Sequence, residues 1–384
     1  MALLPVEVAH TDDEALLIKA AHEYAANELF PLDRAWDRGD SSVAAVLPKL
    51  AEMGFLNLLV PQGYGGLGCS YRTYAAILHE IGCWSASACV TVGVHNMVGL
   101  ILSRCAEEAA KAEWLASWGE VDSFAAFALS EACAGSDARG TRATAVEADG
   151  GYRVNGEKMW VTNGLTARWF LTLVRLGTGT DNAALTALLI DGREAGVERS
   201  AIRGKMGIRG SETAVISFSD TFVPRAHLLG ERGGGLAVFL AALNSGRIGI
   251  AAQGTGIAEA CLNEMVSYAR QREQFGRPIG RFQAVAEMIA DSKVELEAAK
   301  ALIWRAASLE DAGTPSRAAS SMAKLYATEA ANRIAYRAVQ VHGGTGYVNE
   351  CRVEQLYRDA RITTIYEGTS EIQRLVIARE LAGG

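Results

Sequence analysis

From residue 12 to about 120 the chain is rich in Ala, Leu and Glu. Segments such as VLPKLAEMGFLNLLV (46–60) space their apolar residues at helical intervals, which predicts a helical region. From about 123 to 230 the pattern changes to short runs rich in Val, Thr and aromatics: SFAAFAL, YRVNGEKMWVT, RWFLTLVRL, LTALLIDG and TAVISFSDTFVP. Asp-Gly, Asn-Gly and Gly-Thr-Gly signals separate them, which predicts a small all-β domain. From about 236 long helical patterns return. Val285, Met288, Ile289, Leu296, Ala299 and Ile303 form one apolar stripe, with Glu287, Asp291 and Glu295 off it. Met322, Leu325, Tyr326, Ile334, Ala338 and Val341 form a second, stopped by Gly343-Gly344. Long helices joined by short loops predict an antiparallel bundle. The expected architecture is α+β, divided into an N-terminal α-helical domain (1–122), a middle β domain (123–232) and a C-terminal α-helical bundle (233–384).

Composition narrows the class. The 384 residues are 49% hydrophobic and 21% charged with a formal net charge of −7, which provides no basic excess for a nucleic-acid backbone. No apolar run is expected to span a bilayer, so no membrane insertion is expected. The opening MALLPVEVAHTDDEALL has no basic segment followed by an apolar core, so no secretory signal is expected and a cytoplasmic location is. Seven cysteines are scattered singly and are expected to be buried free thiols. His22-Glu23 and His79-Glu80 lack a second histidine at ligand spacing, and no metal site is expected.

Gly63-Tyr64-Gly65-Gly66-Leu67-Gly68 fits the G-x-G-x-x-G spacing of a dinucleotide fingerprint, with Glu80 downstream. That fingerprint needs a strand before it and a helix start after it. Here a helix is expected to lead in, with Pro61-Gln62 where the strand should end, so the stretch reads as a connection between helices. Three other stretches carry more chemistry. FALSEACAGSDARG (127–140) ends a β-run in small residues that let backbone N–H groups and Ser130 or Ser136 approach a planar polar ligand. In NGEKMWVTNG (155–164), Trp160 and Thr162 are expected on one strand face, either as a wall for an aromatic cofactor or as a cap on the β core. In RITTIYEGTSEIQR (361–374), Glu367 follows an apolar run and precedes Gly368-Thr369-Ser370. It reads either as a buried base or as an acid at a helix N-terminus.

In this order, and joined by KMGIRGSETAVISFSDTFVP (205–224), LNSGRIGIAAQ (243–253), RQREQFGRPIGRFQA (270–284) and QVHGGTGY (340–347), these stretches resemble the acyl-CoA dehydrogenase family over nearly the whole chain. Pro61, Tyr64, Gly65, Gly66 and Gly68 match that family's P-x-x-Y-G-G-x-G loop. The resemblance implies a small central β-barrel, a C-terminal four-helix bundle and bound FAD, partly held by a neighbouring subunit. It implies that Phe127, Leu129 and Ser130 contact the flavin pyrimidine and that Trp160 and Thr162 flank the ring system. Arg272 and Phe275 would meet the pyrophosphate and adenine of an FAD bound mainly by the partner. Gln340, Val341 and Gly344 would add contacts across that interface, and Thr369 and Glu371 would lie near the adenosine end. Ser136, Asn244, Arg247 and Gly368 would line the acyl-CoA channel, with Glu367 as catalytic base.

The implied reaction is α,β-desaturation of an acyl thioester, with electrons passed to an electron-transfer flavoprotein by a homo-oligomer, expected to be a tetramer. Some branches carry the base just before Arg247, and that position is Gly246, which leaves the role to Glu367 and points to the short- and medium-chain types. No Arg occurs between Arg72 and Arg104, which disfavours glutaryl-type decarboxylation. Flavin oxidases or hydroxylases on the same fold remain the alternative class, and the hydroxylases lack the glutamate. Ser130-Glu131-Ala132 replaces the family's T-E-P. Asn244 replaces a common acid, leaving coenzyme A or acyl carrier protein as the carrier.

Overall fold

The computed structural model describes residues 10–177 and 185–383. Most of the N-terminal stretch read for a secretory signal and most of the Gly-Thr-Gly turn lie outside the described residues. The helical region opens with α1 (Asp12–Tyr24), whose start is set by a reciprocal cap. The Thr11 hydroxyl accepts from Glu14 N at 3.3 Å, and the Glu14 carboxylate accepts from Thr11 N at 2.9 Å. A π-helical turn leads into α2 (Phe30–Arg38), and α3 (Leu47–Glu52), α4 (Tyr71–Trp84), α5 (Ala86–Cys105) and α6 (Glu108–Leu115) follow. Ser70 and Ser85 cap α4 and α5 with their hydroxyls.

The helix expected across 46–60 is a correction. It stops at Glu52, because Gly54 takes φ +75, and residues 55–60 run as irregular chain into Pro61. Buried Asn96 of α5 replaces the lost helical bonds: its Oδ1 accepts from Leu58 N at 2.8 Å, and its Nδ2 donates to the Phe55 carbonyl at 2.8 Å. No helix therefore leads into the glycine loop. A Cβ on Gly66 would stand 2.0 Å from the Val60 carbonyl oxygen, so this glycine serves a close chain crossing.

The strands are β1 (Ala125–Ala128), β2 (Thr144–Ala148), β3 (Gly151–Thr162), β4 (Trp169–Leu176), β5 (Leu185–Asp191), β6 (Val197–Ala201), β7 (Thr213–Pro224) and β8 (Leu228–Leu229). They form one sheet in the order β6-β7-β3-β2-β4-β5-β8, and β1 runs parallel to the first half of β4. The sheet curls far enough for β5 to meet β7. β4 and β5 are buried on both faces, which explains their unbroken apolar runs. Phe170, Val174, Leu188 and Ile190 join the main core, whereas Leu171, Leu173, Leu185 and Leu189 join a second core with Val98 and Ile101 of α5 and Trp114 of α6.

The C-terminal region holds α7 (Gly235–Gln271), α8 (Gln283–Asp311), α9 (Arg317–His342), α10 (Arg352–Thr363) and α11 (Ser370–Leu381). The three long helices pack on one another, α10 closes on α7 and α9, and α11 lies on α9. Both α5 and α7 are long and apolar enough to cross a membrane, with a mean hydropathy of 1.5 over their best windows, which corrects the sequence expectation. They are core helices, with 89% and 67% of those windows buried within the protein. Buried Asp33 joins the first domain to the last: its carboxylate accepts from Ser85 Oγ at 2.5 Å and Gln355 Nε2 at 2.6 Å. Arg358 of α10 grips Asp37 with both terminal nitrogens, at 2.8 and 2.6 Å. These ties fix the helix that delivers the chain to Glu367.

Candidate active site

Between α10 and α11 the chain makes a turn in which Glu367 (φ +54) and Gly368 (φ +90) are both left-handed. Such a conformation costs a non-glycine residue roughly 1–2 kcal/mol, so the surroundings must impose it. Gln373 Nε2 donates to the Glu367 carbonyl at 3.1 Å and to the Gly368 carbonyl at 2.8 Å. Lys324 Nζ donates to the Gly368 carbonyl at 2.8 Å. Thr369 caps α11 by accepting from Ile372 N at 3.3 Å. The sequence left Glu367 open between a buried base and an acid at a helix end. The structure sets it ahead of the cap, outside α11, with Oε2 shut off from solvent and without a hydrogen-bond partner.

Gly246 makes room for that carboxylate. A Cβ there would lie 2.6 Å from Glu367 Oε2 and 2.8 Å from Met97 Sδ, so a side chain at 246 would force the carboxylate and Met97 to move. Burial pushes the Glu367 carboxyl up to about 7, while the positive charges of Arg247 and Lys324 pull it back down. The carboxylate faces an apolar void walled by Tyr74 and Leu78 of α4, Cys89, Val94 and Met97 of α5, and Ile250 of α7. The void measures ≈ 10 Å³ to the centre of a water-sized sphere, room for about one water. Gln253 is a polar group in this apolar lining, and it is fully buried. Its Nε2 donates to the Ala86 carbonyl at 2.7 Å, and its Oε1 accepts from the Tyr366 hydroxyl.

A second wall lies at the exit of β1. Met159 N donates to the Ser130 carbonyl at 2.8 Å, and Lys158 Nζ to the Leu129 carbonyl at 3.1 Å, which joins residues 127–130 to the end of β3. Lys158 is fully buried and pairs with Glu131 at 2.7 Å. The strand alternation used to put Trp160 and Thr162 on one face is interrupted here. The ladder to β7 slips between Lys158 and Val161, and Trp160 takes φ +60. Trp160 is left 58% exposed beside half-buried Thr162, while Phe127 packs on Phe239 with ring centroids 4.7 Å apart. An uncovered indole next to a line of backbone groups fits the planar ring system of a flavin.

The remaining residues divide. Arg247 is buried; its Nη1 donates weakly to Asn244 Oδ1 (3.4 Å) and Ser321 Oγ (3.3 Å), and its Nε has no partner. Asn244 is engaged on both sides: its Nδ2 donates to Glu310 at 3.2 Å, and its Oδ1 accepts from Ser320 Oγ at 2.8 Å. Glu371 lies exposed at the start of α11, its carboxyl held low by its own backbone N–H and the Thr369 hydroxyl. Ser136 is exposed in the loop after β1, and no contact brings it to the Glu367 turn. Arg272 and Phe275 lie past the end of α7. Gly246 and Arg272 are 26 residues apart along essentially one helix, roughly 39 Å at 1.5 Å per residue. Gln340, Val341 and Gly344 share that far end, where His342 stacks on Tyr268 at 4.3 Å and the Tyr268 carbonyl accepts from Arg272 N. Phe275 is 93% exposed, a Cβ on Gly344 would touch nothing within 4 Å, and Arg272 has no ion-pair partner among the described residues.

All seven cysteines are free; Cys83, Cys89 and Cys261 are buried, but Cys133 is exposed. His79, Cys83 and Glu259 bring possible ligand atoms within 4.8 Å of one another, a grouping the sequence reading did not find. The cation there is already provided, since the Lys300 ammonium pairs with Glu259. Sequence reasoning also missed Lys324, Gln373 and Gln253. For Lys324 a signal existed: Ala327, Ala331, Ile334 and Ala338 follow it at helical spacing, so the lysine stands in an apolar register.

Comparison with known proteins agrees along the whole chain. Family models described as acyl-CoA dehydrogenase N-terminal domain, middle domain and C-terminal domain match residues 11–120, 126–221 and 233–382. An acyl-CoA dehydrogenase of Bacillus subtilis is 38% identical over 375 residues, 97% of this chain and 99% of the relative. The mitochondrial short-chain specific acyl-CoA dehydrogenase of Bos taurus is 40% identical over 369 residues, 95% of this chain and 89% of the relative. The butyryl-CoA dehydrogenase of Megasphaera elsdenii superposes with a TM-score of 0.95 at 32% identity, covering 98% and 100% of the two chains.

Proposed function

The chain belongs to the acyl-CoA dehydrogenase family of FAD-dependent oxidoreductases, and on that premise we propose that it desaturates a short acyl thioester between Cα and Cβ and passes the electrons to an electron-transfer flavoprotein. The observation that carries the reading is the Glu367 carboxylate, facing a narrow apolar void between α4, α5 and α7 with one oxygen unpartnered. A base buried this way ionises near neutrality, where it can take a proton and hold it. Glu367 removes the α-proton of the thioester onto that free carboxylate oxygen. Arg247 and Lys324 keep the carboxyl from becoming permanently protonated in its apolar setting. When bound, FAD would supply the two-electron oxidant that removal of the β-hydrogen requires. Phe127, Leu129, Ser130, Trp160 and Thr162 would hold its ring, and the tight apolar walls exclude water from the carbon being deprotonated.

Short chains fit best. The void accepts about one water, Gln253 occupies its lining with both amide atoms engaged, and each added methylene must displace packed side chains. The test is anaerobic titration of the yellow protein with butyryl-, octanoyl- and palmitoyl-CoA while flavin absorbance is followed. Bleaching by butyryl-CoA and none by palmitoyl-CoA is expected. Bleaching by palmitoyl-CoA alone would overturn the short-chain assignment, and none with any acyl-CoA or acyl-carrier-protein thioester would overturn the reaction.

A further inference from the structure

Lys324 is fully buried in the first half of α9, on a face otherwise filled by Ala, Ile and small hydroxyl residues (Ser320, Ser321, Thr328). A methionine would occupy the same space without burying a charge, and a buried ammonium is costly unless something holds it. Its hydrogen bond runs to the Gly368 carbonyl at 2.8 Å, on the residue immediately after the base. That carbonyl belongs to the second of two consecutive left-handed residues, and Gln373 holds it from the other side at 2.8 Å. Glu367 is thus suspended on a strained turn gripped from α9 and α11, with its side chain in the void.

We propose that Lys324 is the positioning residue of the base: its ammonium pins the Gly368 carbonyl to α9, and its charge favours the ionised Glu367 carboxyl in a pocket that would otherwise favour the acid. The inference rests on the reading of Glu367 as base. The charged groups around the turn are few. Arg247 on α7 and Lys324 on α9 face Glu367, and Glu329 on α9 and Glu371 on α11 act on Lys324. Arg317 and Glu380 act on Arg247, while Tyr74 on α4 and Cys89 on α5 stay neutral because burial pushes both far up. Burial brings the Lys324 ammonium down to about 8, above the Glu367 carboxyl at about 7, so most of the ammonium is still charged when Glu367 begins to lose its proton. Glu329 is drawn off by Ser370 Oγ, which donates to it at 2.6 Å.

Two substitutions separate the clamp from the charge. K324Q can keep a donor near the Gly368 carbonyl but loses the charge, and K324M loses both. The first readout needs no turnover: the ionisation of the Glu367 carboxyl, followed by infrared difference between each protein and its own E367Q counterpart across pH. In K324Q the titration is expected to move up by about one pH unit, leaving about tenfold less ionised base below neutrality. The rate of flavin reduction by butyryl-CoA should fall by the same factor near neutral pH and recover at alkaline pH, with substrate affinity little changed. In K324M the alkaline plateau itself should drop, because the turn is no longer held.

An unmoved titration in folded K324Q overturns the proposal and leaves Lys324 as packing. Should K324M fail to fold, K324Q alone decides. If no acyl thioester reduces the flavin yet the titration still moves, the reading of the reaction fails and the coupling of Lys324 to Glu367 stands.

Discussion

Helix α7 serves two unlike neighbourhoods. Around Gly246 it is buried on all sides and lies against a carboxylate with an unpaired oxygen, in a void that holds about one water. Around its C-terminus the chain opens, with Phe275 93% exposed and Arg272 without an ion-pair partner among the described residues. One protomer contains what is needed to position a base and shield it from water, so the proton chemistry is self-contained. The far end, roughly 39 Å away, displays the Arg272 guanidinium without an ion-pair partner among the described residues and the Phe275 ring, largely uncovered and meeting Phe282 edge-on with ring centroids 5.9 Å apart. This division fits what the family resemblance implies, an FAD grip shared between subunits of a homo-oligomer, which we propose for this chain.

The largest expected effect breaks the closed end alone. Glu367→Gln should slow flavin reduction by roughly 10²–10⁴-fold while FAD binding and oligomer size stay unchanged, as read by stopped-flow absorbance and light scattering. Near-normal reduction would remove Glu367 from its role. The same variant carries a stability signature whose sign follows from linkage. Burial raises the folded-state carboxyl from 4.5 to about 7, so the wild-type protein loses stability as pH rises through that range. E367Q has no such group and should be more stable than wild type at alkaline pH by about 1–3 kcal/mol. The gap should close below about pH 4, which denaturant melts at several pH values would follow.

Next in size is Gly246→Ala. Its Cβ would enter at 2.6 Å from Glu367 Oε2 and displace the carboxylate. A misplacement of this order costs up to about 10²-fold in rate, expected here with FAD affinity untouched. Equal rates for G246A and wild type would mean that the turn is softer than its clamps suggest.

Arg272→Ala tests the open end and should have the smallest consequence per site. Losing a charge-assisted contact to phosphate weakens FAD binding by about 10–100-fold, with the loss deepening on dilution if a second subunit supplies the arginine. The infrared titration of Glu367 should not move. If it does move, the two ends are coupled and the division drawn here fails.

The helix and strand content was legible because periodicity reports burial. The α8 stripe appeared at the expected spacing, whereas on α9 Ile334, Ala338 and Val341 are buried but Met322, Leu325 and Tyr326 only partly, because Ala323, Lys324, Ala327 and Thr328 take the core-facing positions there; the glycine run at 63–68 was readable as a connection because no strand precedes it. Other features had little or no local signal. The helix expected across 46–60 ends at Glu52 with Gly54 left-handed, and the irregular chain that follows is held by Asn96, far along the chain, which bonds the backbone of 55–59. The slip that exposes Trp160 is a relation between β3 and β7 and cannot be seen in either strand alone. The bilayer-length apolarity of α5 and α7 reflects core burial from every side, which composition does not distinguish from lipid.

The sequence by itself determined the order of helical and β regions, the absence of a side chain at 246, and the presence of one carboxylate in an apolar run before a glycine turn. These are properties of single residues and their near neighbours. Only the tertiary structure decided that Gly246 and Glu367 meet, that Lys324 of α9 holds the carbonyl of Gly368, and that one unbroken helix separates Gly246 from Arg272. Burial, charge proximity and strain at 367 arise from elements brought together across the fold, and they turn an ordinary glutamate into one that ionises near neutrality.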